Sequence, residues 1–478
     1  MISPYALIYL VAYMVPALIG FLALIVYTHL LSPAEYGIYV IGAGIAGIIS
    51  AVFFTWVRQA VSRYQSSAPE LDLRAEAVVA YGGTALLIAC LAPVGLFFAR
   101  PGVGFAVLAA SALLSLSLTA FELNQEFWRA RLNSRRFATV AVIRSALGLG
   151  FGYLAISLGF GGLGLLLAIS VSFLAGNVLN FPRQRGQPMR LASADYLKQF
   201  LRYGLPFSLG AMAYALHSAL DRLAVAYLLG QSGAGYYGLA ADMTRQLVAI
   251  LAASVASAMF PLAFRSLAEK GPAATRERLK EGSELLFALI APAAVWLAIA
   301  APLVAGTLLG AKFQARVAAI LPLLAIARMF GAVNQFYLQV SFQLAEKPLL
   351  QVAHDSLILV LNMALLVPLT LIFGLPGTAT AILIAEGLGI PIGIWLSRRA
   401  FRLPFNGRGI ARVFASTAIM ALVTYAAEAA SGANGVWALL AVAASGGITY
   451  AVCVLLFDVA GIRAWIASLL RPRFVAAE

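Results

Sequence analysis

Charge is what this sequence lacks most. Only 11% of its 478 residues are charged, while 62% are hydrophobic. A soluble domain carries roughly 25% charged residues, so a soluble fold has too little polar surface to cover this chain. Its mean hydropathy of +0.92 agrees. Cysteine is nearly absent: Cys90 and Cys453 both lie in apolar segments, which supports neither a disulfide framework nor a metal cluster. The three histidines show no zinc-site spacing. No metal or cofactor is expected. Met1 to Leu10 has no basic start and no small-residue cleavage site, so the first hydrophobic segment is expected to stay in place. Acid is scarcer than base, 19 residues against 33, leaving a formal charge of +14. Such an excess could indicate nucleic acid. Here the basic residues sit between hydrophobic spans, which is how topology signals are distributed, and nucleic acid is not an expected partner.

What is present is a series of apolar stretches of bilayer-spanning length. Fourteen are read, at about 5–30, 36–57, 76–99, 103–127, 138–158, 162–182, 203–229, 235–262, 284–309, 317–344, 350–372, 377–397, 411–429 and 434–456. Most of the 33 basic residues fall in the even gaps and the tail, from Arg58, Arg63 and Arg74 through Arg471 and Arg473. Arg100, Lys312 and Arg316 fall on the other side. The positive-inside rule then puts both termini in the cytoplasm. No gap is long enough for a folded extramembrane domain, which takes about 50 residues.

Gln199 to Ala240 organises the rest. It contains Tyr203-Gly204-Leu205-Pro206-Phe207, then a helix carrying Asp221 and Arg222, then Leu229-Gly230 and Gly235-Tyr236-Tyr237-Gly238. Asp and Arg within a span are costly unless they face protein or water, so a polar interior follows. Other charges lie equally deep: Arg144, Arg245 and Arg328 among the bases, Asp242 and Glu386 among the acids. There is also an internal echo. Ser32-Pro33-Ala34-Glu35-Tyr36-Gly37-Ile38-Tyr39 joins spans one and two, and Gly235-Tyr236-Tyr237 joins seven and eight at similar spacing. Spans one and seven run in the same direction, so the plan is two parallel six-span halves with the substrate path between them.

At these residues the chain resembles the polysaccharide-transporter (Wzx-type) branch of the multidrug/oligosaccharidyl-lipid/polysaccharide exporter superfamily. The resemblance rests on the Ser32–Tyr39 turn, on Tyr203–Phe207, and on Ser218-Ala219-Leu220-Asp221-Arg222 followed by Leu228-Leu229-Gly230 and Gly235-Tyr236-Tyr237. It implies flipping of an undecaprenyl-diphosphate-linked oligosaccharide across a bacterial inner membrane by ion-coupled alternating access. The products implied are surface polysaccharides such as O-antigen, capsule or exopolysaccharide. The polymerase and chain-length regulator of the same pathway are the protein partners it implies. The expected fold is an all-α integral membrane protein of about fourteen helices, two parallel six-helix repeats around a central cavity plus two extra C-terminal helices. Its divisions are 1–182, a linker at 183–202, 203–400, 409–456 and a tail at 457–478.

The deep charges supply the candidate sites. His217 and Asp221 are four residues apart and share a helical face, with Ser218 and Arg222 on the neighbouring row. Arg222 could attract phosphate while Asp221 or His217 carries a proton or sodium; equally, the bases could simply neutralise Asp221. Asp242 and Arg245 lie at similar depth on span eight, forming with Asp221 and Arg222 a four-charge cluster that is either a ligand site or a balanced structural network. Arg144 and Arg328 have no acid within four residues on their own spans. Arg144 could snorkel to the cytoplasm; Arg328, near mid-span, is the strongest single candidate for an anionic-substrate contact. Glu386 is either a proton carrier or the partner of an arginine on another helix. Glu122 and Glu126, one turn apart, read as helix-end pairing with Arg129 and Arg131 close behind. Tyr214, Phe336, Tyr337 and Trp395 could stack sugar rings or simply pack. Three classes stay open: a lipid-linked oligosaccharide flippase, a drug or metabolite exporter of the same superfamily, and a membrane polymerase or ligase. The enzyme ranks last, because the outer gaps hold no loop that could organise catalytic side chains and no nucleophile or phosphate-loop motif occurs.

Overall fold

In hydrocarbon every backbone N–H and C=O must find its partner within the chain, so an apolar chain of this kind resolves into helices. The computed structural model describes residues 4–67, 72–98, 104–131, 133–180, 192–431 and 435–463. Among them there is no strand. The helices are α1 (Pro4–Leu30), α2 (Pro33–Ile49), α3 (Thr55–Ser67), α4 (Arg74–Phe98), α5 (Phe105–Ala130), α6 (Ser134–Ser157) and α7 (Gly161–Asn180), then the long run α8 (Ala194–Ile299). After it come α9 (Ala301–Leu308), α10 (Ala311–Val333), α11 (Gln339–Leu344), α12 (Pro348–Phe373), α13 (Leu375–Ser397), α14 (Gly407–Ser431) and α15 (Val436–Leu456). Ten helical runs among the described residues are long and apolar enough to cross a bilayer. The chain is an all-α, multi-pass membrane protein.

Helix α8 contains 106 residues but is not one rod. Gly230 and Gly271 have φ of +73° and +77°, which only glycine adopts without strain. These breaks separate spans seven, eight and nine. Two pairs of helices are joined through π turns, Ser50–Phe54 between α2 and α3 and Asn334–Leu338 between α10 and α11. Each inserts an extra residue per turn and re-aims the side chains that follow it.

The chain divides into two compact units, Met1–Gly238 and Leu239–Glu478. In the first, α6 packs on α1 and α7, and α5 lies against α2 and α7. The echo motifs meet within this unit. Ser32 caps α2: its hydroxyl accepts from the Glu35 N–H at 3.3 Å, and the Glu35 carboxylate accepts from the Ser32 N–H at 2.9 Å. The cap holds Pro33 and Gly37 against Gln231 and Gly235. A Cβ on Gly37 would stand 1.9 Å from the Gln231 carbonyl oxygen, and one on Gly235 would stand 2.1 Å from that of Pro33. Gly204 likewise lies backbone-to-backbone against Trp56, with Tyr64 stacked on Phe200 beside it. The recurrent Gly and Gly-Tyr positions are thus points where two backbones touch. In the second unit α13 packs between α10 and α12, and α14 pairs with α15.

Candidate functional site

A set of polar residues in the first unit lines a cavity of about 470 Å³ walled by α1, α3, α5 and α6. Helix α3, re-aimed by its π turn, supplies Arg58, Gln59 and Ser62; α5 supplies Glu122, Gln125, Glu126 and Arg129; α6 supplies Arg144 and Ser145; α1 adds Ala12 and Pro16. On α5 the polar positions recur at intervals of three and four residues, which places them on one face. Arg58 Nη1 donates to Glu122 Oε2 at 2.5 Å. Arg129 pairs with Glu126 and donates to Ser62 Oγ at 3.4 Å. Gln125 Nε2 is anchored on the Phe137 carbonyl at 3.1 Å.

Arg144 is held differently. Its guanidinium carbon lies 3.6 Å from the centroid of the Phe173 ring, a cation–π contact. Nη1 makes a long 3.5 Å bond to Ser145 Oγ, and the buried Nε has no hydrogen-bond partner. Both cavity carboxylates have a salt-bridge arginine in Arg58 and Arg129. Three guanidinium groups against two carboxylates leave the cavity one positive charge in excess. Chemically, such a lining can pair with an anion that has several acceptor oxygens, and the Arg144 guanidinium carries a planar fork of donors.

The remaining candidates fall in separate places. Asp221 is buried in the first unit and accepts from the Tyr237 hydroxyl at 3.2 Å. The aliphatic stem of Arg222 passes close to Gly44. The side chain of His217 lies outside the described residues. In the second unit Arg245 donates to Asp242 at 3.3 Å. Glu386, buried on α13, accepts from Asn334 Nδ2 at 2.8 Å, and the same amide also donates to the Glu386 backbone carbonyl. Gly331 faces the Glu386 carboxylate. Arg328, one turn before it on α10, shares that face.

Sequence reading picked out Arg144 but missed its surroundings. Glu126 does pair locally with Arg129; Glu122 instead reaches Arg58, 64 residues away. Arg144 turns onto Phe173 rather than out to an interface. The clue within the sequence was the polar stripe Glu122, Gln125, Glu126, Arg129, which continues past a helix end's worth of charge. At the start of α4, Asp72 and Arg74 form a two-bond pair at 2.7 Å. The hydrogen bond from Arg74 holds the Asp72 carboxyl below its usual range.

The model of a family described as polysaccharide biosynthesis protein matches residues 26–318. No curated protein matches the sequence. Among solved structures, the chain is similar to the lipid II flippase MurJ in an inward closed conformation, at 14% identity and a TM-score of 0.73, covering 96% of this chain and 99% of that one. It is also similar to an inward-facing multidrug-resistance MATE transporter of the MOP superfamily, at 15% identity and a TM-score of 0.58, covering 85% and 99%. A MATE protein in complex with MaD3S gives a TM-score of 0.54 at 15% identity, covering 85% and 94%. With a family match over more than half its length and this shared helical architecture, the chain belongs to the polysaccharide biosynthesis protein family and has the fold of the MOP superfamily.

Proposed function

We propose that this protein is a flippase that moves a polyprenyl-diphosphate-linked oligosaccharide from the cytoplasmic to the outer face of a bacterial inner membrane, supplying surface polysaccharide synthesis. The observation that carries the reading is the Arg144 cavity, with one guanidinium more than its carboxylates neutralise. A diphosphate has the charge and the paired oxygens to occupy that fork. Arg58 and Arg129 can exchange a carboxylate oxygen for a phosphate oxygen as cargo enters. The family and the MurJ-like fold support a lipid-linked cargo. They also support a transporter rather than a polymerase or ligase.

Both termini are cytoplasmic by the charge bias of the gaps. Transport proceeds by alternating access. Arg222, Arg245 and Arg328 are later phosphate contacts or structural partners of Asp221, Asp242 and Glu386, and the acids with His217 are the candidates for ion coupling. Deleting the gene tests the function directly. Accumulation of a diphosphate-linked glycan on the cytoplasmic leaflet is expected. An unchanged lipid-linked pool with a lost drug-efflux phenotype would replace this reading with the exporter one.

A further inference from the structure

A buried histidine in the second unit faces two acceptors, and no role so far described uses it. His354 on α12 has no exposed side-chain surface. Its Nε2 lies 2.9 Å from the Gly389 carbonyl oxygen of α13. A carbonyl can only accept, so Nε2 carries a proton. The neutral ring then has a bare lone pair on Nδ1. That nitrogen faces Asp355 Oδ1 at 3.5 Å and makes no hydrogen bond. Lone pair against carboxylate is repulsive, and a buried ring nitrogen left without a partner is costly. One additional proton, on Nδ1 or on Asp355, removes the conflict. We propose that His354 and Asp355 form a proton-binding site and that its loading and unloading is an ion step of transport, beside the acids and His217 named above. The coupling half of this rests on the flippase reading; the proton site itself does not.

The surroundings fit a site rather than a clip. A clip would need only the Nε2 bond, and nothing would require a carboxylate at Nδ1. The imidazole is seated in a notch of α13, where a Cβ on Gly393 would stand 2.8 Å from Nε2. Gln339 Nε2 donates to both Asp355 oxygens, at 3.1 and 3.2 Å, and Gln351 donates to Gln339 at 3.3 Å. Gln339 directly follows the π turn Asn334–Leu338, and π turns recur at functional sites. At the other end of the same turn Asn334 holds Glu386. Asp355 keeps 18% of its side chain exposed, so its carboxylate is not sealed within the bundle. The charged groups on the packed elements are Asp355 itself, Glu386 one turn before Gly389, Arg328 on α10, and Lys347 at the start of α12, whose Nζ is bound to the Arg399 carbonyl. Helix α11 carries none. A change in His354 charge therefore acts where α12, α13 and the π turn meet.

The chain has three histidines, His29, His217 and His354. In full-length protein labelled with 15N-histidine in lipid nanodiscs, His29→Gln and His217→Gln each remove one ring signal and identify that of His354. In the wild type, the His354 Nδ1 signal is expected to report a proton shared with Asp355. In Asp355→Asn it is expected to move to that of a bare nitrogen. A bare Nδ1 in the wild type that does not respond to Asp355→Asn overturns the proton site, whatever the protein transports. In liposomes, transport of a labelled polyprenyl-diphosphate glycan should vary several-fold with pH. His354→Gln and Asp355→Asn should flatten that profile. A protonated Nδ1 with an unaltered profile in both variants overturns the coupling. If neither wild type nor variants move the glycan while Nδ1 is protonated, the flippase reading fails and the proton site stands.

Discussion

Gly37 and Gly235 face each other across the junction of the two echo motifs, and the geometry fixes what a methyl group would do there. The Cβ of Gly235→Ala would stand 2.1 Å from the Pro33 carbonyl oxygen, while ordinary contact begins at 3.4 Å, so the backbones must part by about 1.3 Å. For Gly37→Ala against the Gln231 oxygen the distance is 1.9 Å and the separation about 1.5 Å. A radial gap of about 0.5–1 Å forfeits a quarter to a half of each dispersion contact. Val40 packed on Gly238 sits inside the opened layer. Each substitution should therefore cost about 1–3 kcal/mol, the usual range for overpacking. The double variant should cost clearly less than the sum, because one separation relieves both clashes. Gly150, whose Cβ would meet nothing within 4 Å, is the control; its alanine variant should be neutral or stabilising by up to about 1 kcal/mol. Thermal unfolding of the purified protein, followed by loss of the monodisperse fraction, measures all four. Gly235→Ala as stable as Gly150→Ala, or strict additivity in the double variant, would refute the reasoning.

Two further expectations concern the first unit. Arg58 and Glu122 keep 36% and 38% of their side chains exposed, so a double-mutant cycle with alanine should return a coupling of only about 0.2–1 kcal/mol. A coupling of several kcal/mol would mean that the cavity is dry and closed. Arg74 depresses the Asp72 carboxyl, so this pair stabilises the protein above the unfolded aspartate range and the contribution is lost as pH falls through the lower folded value. Asp72→Asn should therefore be less stable than wild type at pH 7, with the difference vanishing at strongly acidic pH. A difference that grows on acidification would reverse the sign.

Much of the fold was legible in the sequence because bilayer thickness and backbone hydrogen bonding leave few options for long apolar runs. The depth of Asp221, Asp242 and Glu386 was legible too, since an acid in such a run must turn inward. Partners were not. Glu122 finds Arg58 across 64 residues of chain, and Glu386 finds Asn334 across 52. Those pairings depend on two π turns that no residue pattern announces. His354 was one histidine among three until the carbonyl of Gly389 and the carboxylate of Asp355 were seen on its two nitrogens. The Gly-Tyr echo carried a repeat in the sequence; in space Gly37 and Gly235 are the two sides of one close backbone contact.

In the proposed flippase Arg144 receives the diphosphate. The direct measurement is the initial rate at which purified protein in liposomes moves a fluorescent polyprenyl-diphosphate glycan, for wild type, Arg144→Ala and Arg144→Lys at matched protein level. A hydrogen bond to a charged group contributes about 1.5–3 kcal/mol. At about 1.4 kcal/mol per tenfold, Arg144→Ala should therefore lower the rate at limiting substrate by roughly 10- to 100-fold. Lysine should restore part of it, keeping the charge without the planar fork. Wild-type rates in Arg144→Ala would contradict the account.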